Sequence, residues 1–268
     1  MKNQLLVLNT MNVVDGIAGS LVGIFVPIYL LTIGFDLRTV FCYFLIFSFT
    51  LVPFFILTAK FCQYLGVKKT LLLRIPILFI YLASLFLVKQ IPAIVYFIPV
   101  FYALETSLYW YPLHLIFTTH ALEGEMGKKV SHFFAWPKAV GVILPIISAG
   151  IAISLGFKFL FVIASVVYLI SSIIYFQFDE IKITTSFTLG KVWEFIKKYP
   201  HYIVLEVIEN WREDISGVVW PIFVFISISA LGGAVNQKIG IFSVGMITTI
   251  SAVIALLFNL FVGNLSDK

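Results

Sequence analysis

Long apolar stretches separated by short polar segments run along the whole chain. Eight of them have about 19 residues or more, which is enough for a helix to cross a hydrocarbon layer of about 30 Å. These predicted spans are 5–33, 40–59, 70–88, 92–117, 131–155, 157–178, 201–230 and 239–262. Such runs favour helices over the short alternating strands of a membrane β-barrel. The pattern therefore predicts an all-α integral membrane protein with about eight transmembrane helices.

The composition supports this prediction. The chain is 61% hydrophobic and 12% charged, with a mean hydropathy of +1.06, whereas soluble domains have roughly 25% charged residues. The net charge of +5 comes from lysine and arginine between the spans, so it does not indicate nucleic-acid binding.

Lysine and arginine lie mainly on one side of the predicted layer. They concentrate at the N-terminus, at the C-terminus and in the loops between predicted helices 2 and 3, 4 and 5, and 6 and 7; Arg74 is counted with this group. By the positive-inside rule, these segments are cytoplasmic. We therefore expect an inner- or plasma-membrane protein with a cytoplasmic N-terminus.

The longest connection separates two predicted domains. Residues 181–200 include "FTLGKVWEFIKKYP", in which Val192, Phe195, Ile196 and Tyr199 recur at helical spacing opposite charged residues. This pattern is typical of a short helix on the membrane surface, although an ordinary solvated linker fits as well. We accordingly predict a six-helix bundle at 1–180, an amphipathic linker at 181–200 and a partial second bundle at 201–268.

An internal repeat relates predicted helices 1 and 7. "SLVGIFVPIYL" at 20–30 and "DISGVVWPIFV" at 214–224 align with a shift that also places Asp15 opposite Glu209. Both segments contain a deep proline, Pro27 or Pro221, and each proline is expected to kink its helix. The repeat indicates that helix 7 begins a second half of the protein.

Loop motifs complete a resemblance to a known family. The 2–3 loop contains Gly66, Lys68 and Lys69, and the chain ends in "GNLSDK", which supplies Gly263, Asp267 and Lys268. With the repeat and the Gly-Pro-rich "GVILPIISAG" at 141–150, these motifs make the chain resemble the major facilitator superfamily of transporters. The resemblance implies a complete N-terminal six-helix bundle plus the first two helices of a second, as if the chain were truncated after its eighth helix.

Charged residues inside the spans are the candidate site. An intramembrane charge costs at least about 2.5–3.5 kcal/mol and normally faces a bundle interior or a wet cavity. The candidates are Asp15, Glu105, Lys138, Glu206, Glu209, Arg212 and Glu213. In the family that the chain resembles, helices 1, 4 and 7 line the central cavity, so Asp15, Glu105 and Glu209 are expected to face it. The alternative is an ion-pair network that locks the helices together.

The predicted function is secondary transport by alternating access, with proton coupling through a buried carboxylate. The acidic candidates favour a cationic or zwitterionic small solute, and Trp220 is a candidate for stacking on it, with Tyr109 a weaker one. We expect no metal site, because the histidines lack ligand spacing, and no ATP site, because the sequence has no phosphate-binding glycine loop. We also expect no cofactor and no enzymatic activity, because no motif indicates a nucleophile–base pair. A proton-independent facilitator, a non-transporting membrane fragment and an intramembrane enzyme are the alternatives.

Overall fold

The computed structural model describes residues 4–121, 126–181, 188–230 and 233–266, and these residues form helices and no β-strand. The α-helices are α1 (Gln4–Val22), α2 (Phe25–Thr32), α3 (Leu37–Leu65), α4 (Val67–Leu87), α5 (Ile98–Ala121), α6 (Met126–Gly141), α7 (Leu144–Ser154), α8 (Phe157–Tyr175), α9 (Leu189–Lys198), α10 (Pro200–Asp214), α11 (Trp220–Ser229) and α12 (Gly233–Ser266). A 3₁₀-helix at Pro92–Tyr96 precedes α5, and a π-helical turn at Ile215–Val219 joins α10 to α11.

Six helical segments of the described chain are long and apolar enough to cross a membrane. They are Gln4–Thr32, Leu37–Leu65, Val67–Leu87, Pro92–His120, Phe157–Tyr175 and Asn236–Leu256. The pair Phe133–Gly141 and Leu144–Ser154, bent by 40°, makes a seventh if it counts as one span. The prediction of an all-α, membrane-type protein is confirmed at this level.

The predicted seventh span, 201–230, differs from the others. It is helical, but α10 is only 15 residues long and carries several charged side chains before the π-helical turn interrupts it. The segment is therefore not among the six or seven candidate spans, and the predicted total of about eight transmembrane helices is not reached within the described residues.

Two compact units divide the chain, and each draws on separate stretches of sequence. Unit 1 contains the residues up to Met11, Phe35–Met126 and Ile170–Ile215, and unit 2 contains Asn12–Gly34, Gly127–Leu169 and the residues from Ser216 onward. The predicted domain boundaries near residues 180 and 200 stay a prediction.

Helices α3, α4 and α5 pack together in unit 1. The ring of Tyr102 on α5 is stacked between Phe47 of α3 (4.6 Å between centroids) and Tyr81 of α4 (4.9 Å). A second contact joins α3 to α5, where the buried hydroxyls of Thr58 and Ser107 lie 3.0 Å apart and share a hydrogen bond. These contacts fix α5 against both neighbours.

Broken helices characterise unit 2, and each break lies at the same sequence pattern. The pattern Gly-x-x-x-Pro-Ile occurs at 23–28, 141–146 and 217–222, where α1 meets α2, α6 meets α7 and the π-helical turn meets α11. A proline removes one helical hydrogen bond and collides with the carbonyl four residues earlier, where each copy has glycine. The repeat found in the sequence relates the first and third copies only; the structure shows that a helix is interrupted at the second copy as well.

Small residues allow close packing in unit 2. A Cβ added at Gly245 of α12 would lie 2.7 Å from the carbonyl oxygen of Pro145 and 2.6 Å from the Cβ of Ala149. Next to this contact, the backbone N–H of Ile146 donates a hydrogen bond to Oγ1 of Thr249 (3.2 Å). Helices α7 and α12 therefore meet nearly backbone to backbone.

Candidate functional site

A buried arginine lies inside α4. Arg74 is about two turns from the start of the helix at Val67, and its side chain is only 3% exposed. Among the residues whose side-chain burial the structure describes, it is the only buried Lys or Arg. Arg74 was grouped with the loop cations because it lies near the start of a predicted span, so this feature of the site was missed.

Glu105 of α5 is the ion-pair partner of Arg74. Its oxygen Oε1 accepts a hydrogen bond from Arg74 Nε at 2.6 Å and lies 2.6 Å from the Arg74 nitrogen Nη2. The Glu105 side chain is 7% exposed. Two opposite charges, each costly to bury alone, thus neutralise each other between two apolar helices.

Two tyrosines complete the surroundings of the guanidinium. Arg74 Cζ lies 4.1 Å from the ring centroid of Tyr109, in cation–π geometry. Arg74 Nη1 donates a hydrogen bond to the hydroxyl oxygen of Tyr175, the last residue of α8. Both rings are buried. Side chains from two helices, α5 and the end of α8, therefore surround the charge of Arg74.

The spacing along α5 explains how one helix supplies two of these groups. Glu105 and Tyr109 are four residues apart, so they lie on the same face of the helix. Because α4 packs against α5, the long side chain of Arg74 reaches this face. Thr106 adds a weaker contact from its Oγ1 to Glu105 Oε2 at 3.4 Å.

Chemically, this arrangement offers one fixed positive charge and one group that can take up a proton. An arginine stays protonated in proteins, whereas a glutamate can become neutral. Protonation of Glu105 would leave Arg74 as an uncompensated buried cation, so it would favour the entry of another anion. The cluster of Arg74, Glu105, Tyr109 and Tyr175 is here called the Arg74 site. In this cluster, Arg74 can exchange the carboxylate of Glu105 for another anion when Glu105 is protonated.

The remaining predicted acids lie elsewhere. Asp15 of α1 is buried in unit 2, whereas Glu206, Glu209 and Glu213 of α10 are exposed and belong to unit 1. Of all the predicted acids, only Glu105 lies at the Arg74 site.

Arg212 pairs within its own helix. Its Nε donates to Glu209 Oε2 at 2.9 Å, and its Nη2 bonds Glu209 Oε1 and lies 3.8 Å from Glu213 Oε1. The side chains of Arg212 and Glu209 are each 56% exposed. This pair has the same chemistry as Arg74–Glu105 in a different environment.

The other two candidates are exposed. Lys138 in the last turn of α6 is exposed, and Trp220 of α11 is half exposed with its ring stacked on Phe223 at 5.7 Å.

The first loop motif forms a defined contact in unit 1. Gly66 has a φ of +95°, and its missing side chain leaves space for the carboxylate of Glu180. That carboxylate accepts the backbone N–H of Lys68 at 3.0 Å, and Lys68 Nζ donates to the carbonyl of Phe176 at 2.9 Å. Lys69 is exposed. The loop before α4 is thus tied to the chain that follows α8.

The second loop motif is only partly described. Gly263 lies within α12, while Asp267 and Lys268 fall outside the described residues. No group of three or more His, Cys, Asp or Glu side chains in the described ranges is arranged to hold a metal ion.

Comparison of the sequence with models of known protein families and with curated proteins gives no match. The functional interpretation therefore depends on the chemistry of the Arg74 site and on the arrangement of the helices.

Proposed function

We propose that this chain is a secondary transporter of the major facilitator type, which moves a small zwitterionic solute together with a proton across an inner or plasma membrane. The observation that carries this proposal is the Arg74–Glu105 pair, buried between apolar helices. Ionisable residues inside a membrane are costly and commonly mark substrate or proton pathways.

The pair favours a zwitterionic solute over a purely cationic one. Arg74 matches the carboxylate of a solute through paired N–H donors. The Glu105 carboxyl keeps an acceptor oxygen when it is protonated, so the neutral group can still accept a hydrogen bond from an ammonium group. A solute that carries both groups gives Arg74 a new anion in place of Glu105, which a pure cation cannot do. Tyr109 and Tyr175 would then flank the solute at the same place where they now flank the guanidinium.

Proton binding and solute binding are linked at this site. When Glu105 takes up a proton, Arg74 loses its anion, and the solute carboxylate supplies a new one. Each event therefore favours the other, as thermodynamic linkage requires. Because a zwitterion is neutral overall, each cycle would move one positive charge with each proton.

Alternating access combines rocking of helix bundles with local gating movements, and the broken helices of unit 2 are suited to such local movements. Each Gly-x-x-x-Pro-Ile segment has a weakened backbone ladder at one defined place. Such breaks let the two ends of a helix tilt separately while each end keeps its own packing. In transporters of this type, access alternates around a mid-membrane site.

Uptake by the purified chain in liposomes tests the proposal. Labelled zwitterionic amino acids are compared with choline and polyamines, with and without an inside-alkaline pH gradient. We expect gradient-driven uptake of at least one zwitterion, and loss of that uptake in Glu105→Gln. The matched control, Glu209→Gln, changes a carboxylate of the exposed pair and should keep the uptake.

Three outcomes would contradict parts of this proposal. Uptake that ignores the gradient would indicate a facilitator, and uptake of the pure cations alone would exclude the assigned solute class. No uptake of any solute by a chain that keeps its helix content would argue against transport itself.

A further inference from the structure

The helix α9 is an apolar and cationic surface that the described part of the chain leaves uncovered. It spans Leu189–Lys198, and none of its residues is buried. Large apolar side chains, among them Trp193 and Phe195, are about half exposed. Something outside these residues must cover the apolar face, because an amphipathic helix of ten residues has little stability alone in water.

The residues of α9 separate cleanly around its axis. At about 100° per residue, the apolar side chains cover an arc of roughly 160°, and the charged ones lie opposite. The apolar arc contains Leu189, Val192, Trp193, Phe195, Ile196 and the cap residue Tyr199. The opposite arc contains Glu194 near its centre and lysines near both edges.

The lysines border the apolar face on both sides. Lys197 lies beside one edge, with its Nζ 5.5 Å from the ring centroid of Trp193. Lys191 and Lys198 lie towards the other edge, with Lys198 Nζ 5.3 Å from the ring of Tyr199. Lysines at such borders can keep their chains along the apolar layer while the ammonium groups reach the phosphate level. Tryptophan and tyrosine are also the aromatic residues that membrane interfaces favour.

The charge of α9 selects among possible membranes. Three lysines against Glu194 give a net charge of +2 over the helix. A lipid surface with negative headgroups attracts such a helix, whereas a zwitterionic surface offers only the apolar contact. The apolar spans of the same chain hold α9 close to a bilayer, so the surface is present at a high effective concentration.

The end of α9 is built to let it lie apart from α10. Tyr199 has a φ of −130° and a ψ of 57°, outside the helical range, and Pro200 begins the next helix. The ring of a proline disfavours the helical conformation of the residue before it. Pro200 therefore ends α9 at Tyr199, and α9 does not continue into α10. It can therefore take its own direction along a surface.

We propose that α9 binds the anionic lipids of the membrane that holds the apolar spans, with its apolar face at the boundary between headgroups and acyl chains and with its lysines on the lipid phosphates. This inference is independent of the transported solute. It assigns to the segment a lipid specificity that its apolar pattern alone does not give.

Quenching of Trp193 by brominated lipids tests the proposal in the full chain. The chain and its Trp193→Phe variant are reconstituted into phosphatidylcholine vesicles and into equal mixtures of phosphatidylcholine and phosphatidylglycerol. Their difference in fluorescence isolates Trp193 among the five tryptophans. We expect brominated phosphatidylglycerol to quench Trp193 about twofold more than brominated phosphatidylcholine at low salt, with the excess lost at high salt.

Charge variants make the test specific. Replacing Lys191, Lys197 and Lys198 with glutamine should remove the excess quenching, whereas Lys158→Gln with Lys238→Gln, two exposed lysines outside α9, should keep it. Equal quenching by the two lipids, or an excess that survives the triple variant, would overturn the anionic preference. If neither brominated lipid quenches Trp193, the proposed contact of α9 with the membrane is wrong.

Discussion

Breaking the buried Arg74–Glu105 pair should destabilise the protein more than breaking the exposed Arg212–Glu209 pair. Glu105→Leu leaves Arg74 charged and buried, because an arginine does not release its proton in proteins. Removing one partner of a buried pair costs about 3–5 kcal/mol. Solvent screening does not reduce this cost, because the two side chains are only 3% and 7% exposed. At tenfold for each ~1.4 kcal/mol, the unfolding equilibrium should shift by roughly two to four orders of magnitude.

The reverse variant should cost less. In Arg74→Met the remaining carboxylate of Glu105 can take up a proton and become neutral, so the loss should be smaller than for Glu105→Leu and should depend on pH. The double variant removes both charges and replaces them with apolar side chains of similar size. Such replacements are often neutral or stabilising by about 1–4 kcal/mol. We therefore expect the double variant to be more stable than either single variant.

The exposed pair of α10 is the matched control. Glu209→Leu, Arg212→Met and their combination change the same residue types at 56% exposure, where a salt bridge contributes about 0–1 kcal/mol. Denaturant titration in detergent, followed by circular dichroism, gives the free energy for both double-mutant cycles. Equal costs for Glu105→Leu and Glu209→Leu, or a coupling energy near zero for the buried pair, would refute the reasoning.

Three further predictions concern backbone contacts and a helix cap. Gly245→Ala should destabilise the chain because its Cβ would meet the backbone of α7, whereas Gly150→Ala, in a helix with open space, should stabilise by about 0.5–1 kcal/mol; thermal unfolding in detergent measures both. Gly66→Ala should cost more than Gly34→Ala, because both have positive φ but only Gly66 faces a carboxylate; equal melting temperatures would contradict this. The carboxylate of Asp36 accepts hydrogen bonds from Thr39, and these bonds hold the pKa of Asp36 below its ordinary range. The stabilisation by Asp36 is therefore fully present above the unfolded-state pKa and is lost as the pH falls through the folded-state pKa. The stability difference between the chain and Asp36→Ala, followed by acid titration, should accordingly shrink below about pH 4.

The apolar pattern predicted most of the helices because a membrane span has a simple requirement of length and hydropathy. The apolar pattern did not predict where a helix is interrupted. The predicted span 201–230 is divided by a π-helical turn, and the span 131–155 is bent between Gly141 and Leu144. Both interruptions precede a proline, but hydropathy averages over a window and cannot place a break within it.

Half of the candidate site was predicted and half was not. Glu105 was named as a candidate and was expected to face a central cavity; the structure shows that it is buried and paired with Arg74. Arg74 was counted with the loop cations because it follows Lys68 and Lys69 closely in sequence. The positive-inside rule counts every Lys and Arg near the end of a span. It therefore does not distinguish a cation in a loop from a cation two turns inside the following helix.

A more discriminating signal was present in the spacing of the charges. Glu209 has a basic residue three positions away, Arg212, and the two form an exposed pair within one helix. Glu105 has no basic residue three or four positions away on either side, so a partner for its charge has to come from another helix. That partner is Arg74 on the neighbouring α4.

The same criterion applies to Asp15. It is buried in α1 and also lacks a basic residue at helical spacing, so its charge too has to be satisfied from outside its own turn of helix. The criterion applies only to acids inside an apolar span, because Glu206 and Glu213 of the exposed helix α10 also lack a basic residue at these positions. Within a span, an acid without a basic partner on its own helix requires contacts with other helices, because its charge cannot be left buried alone.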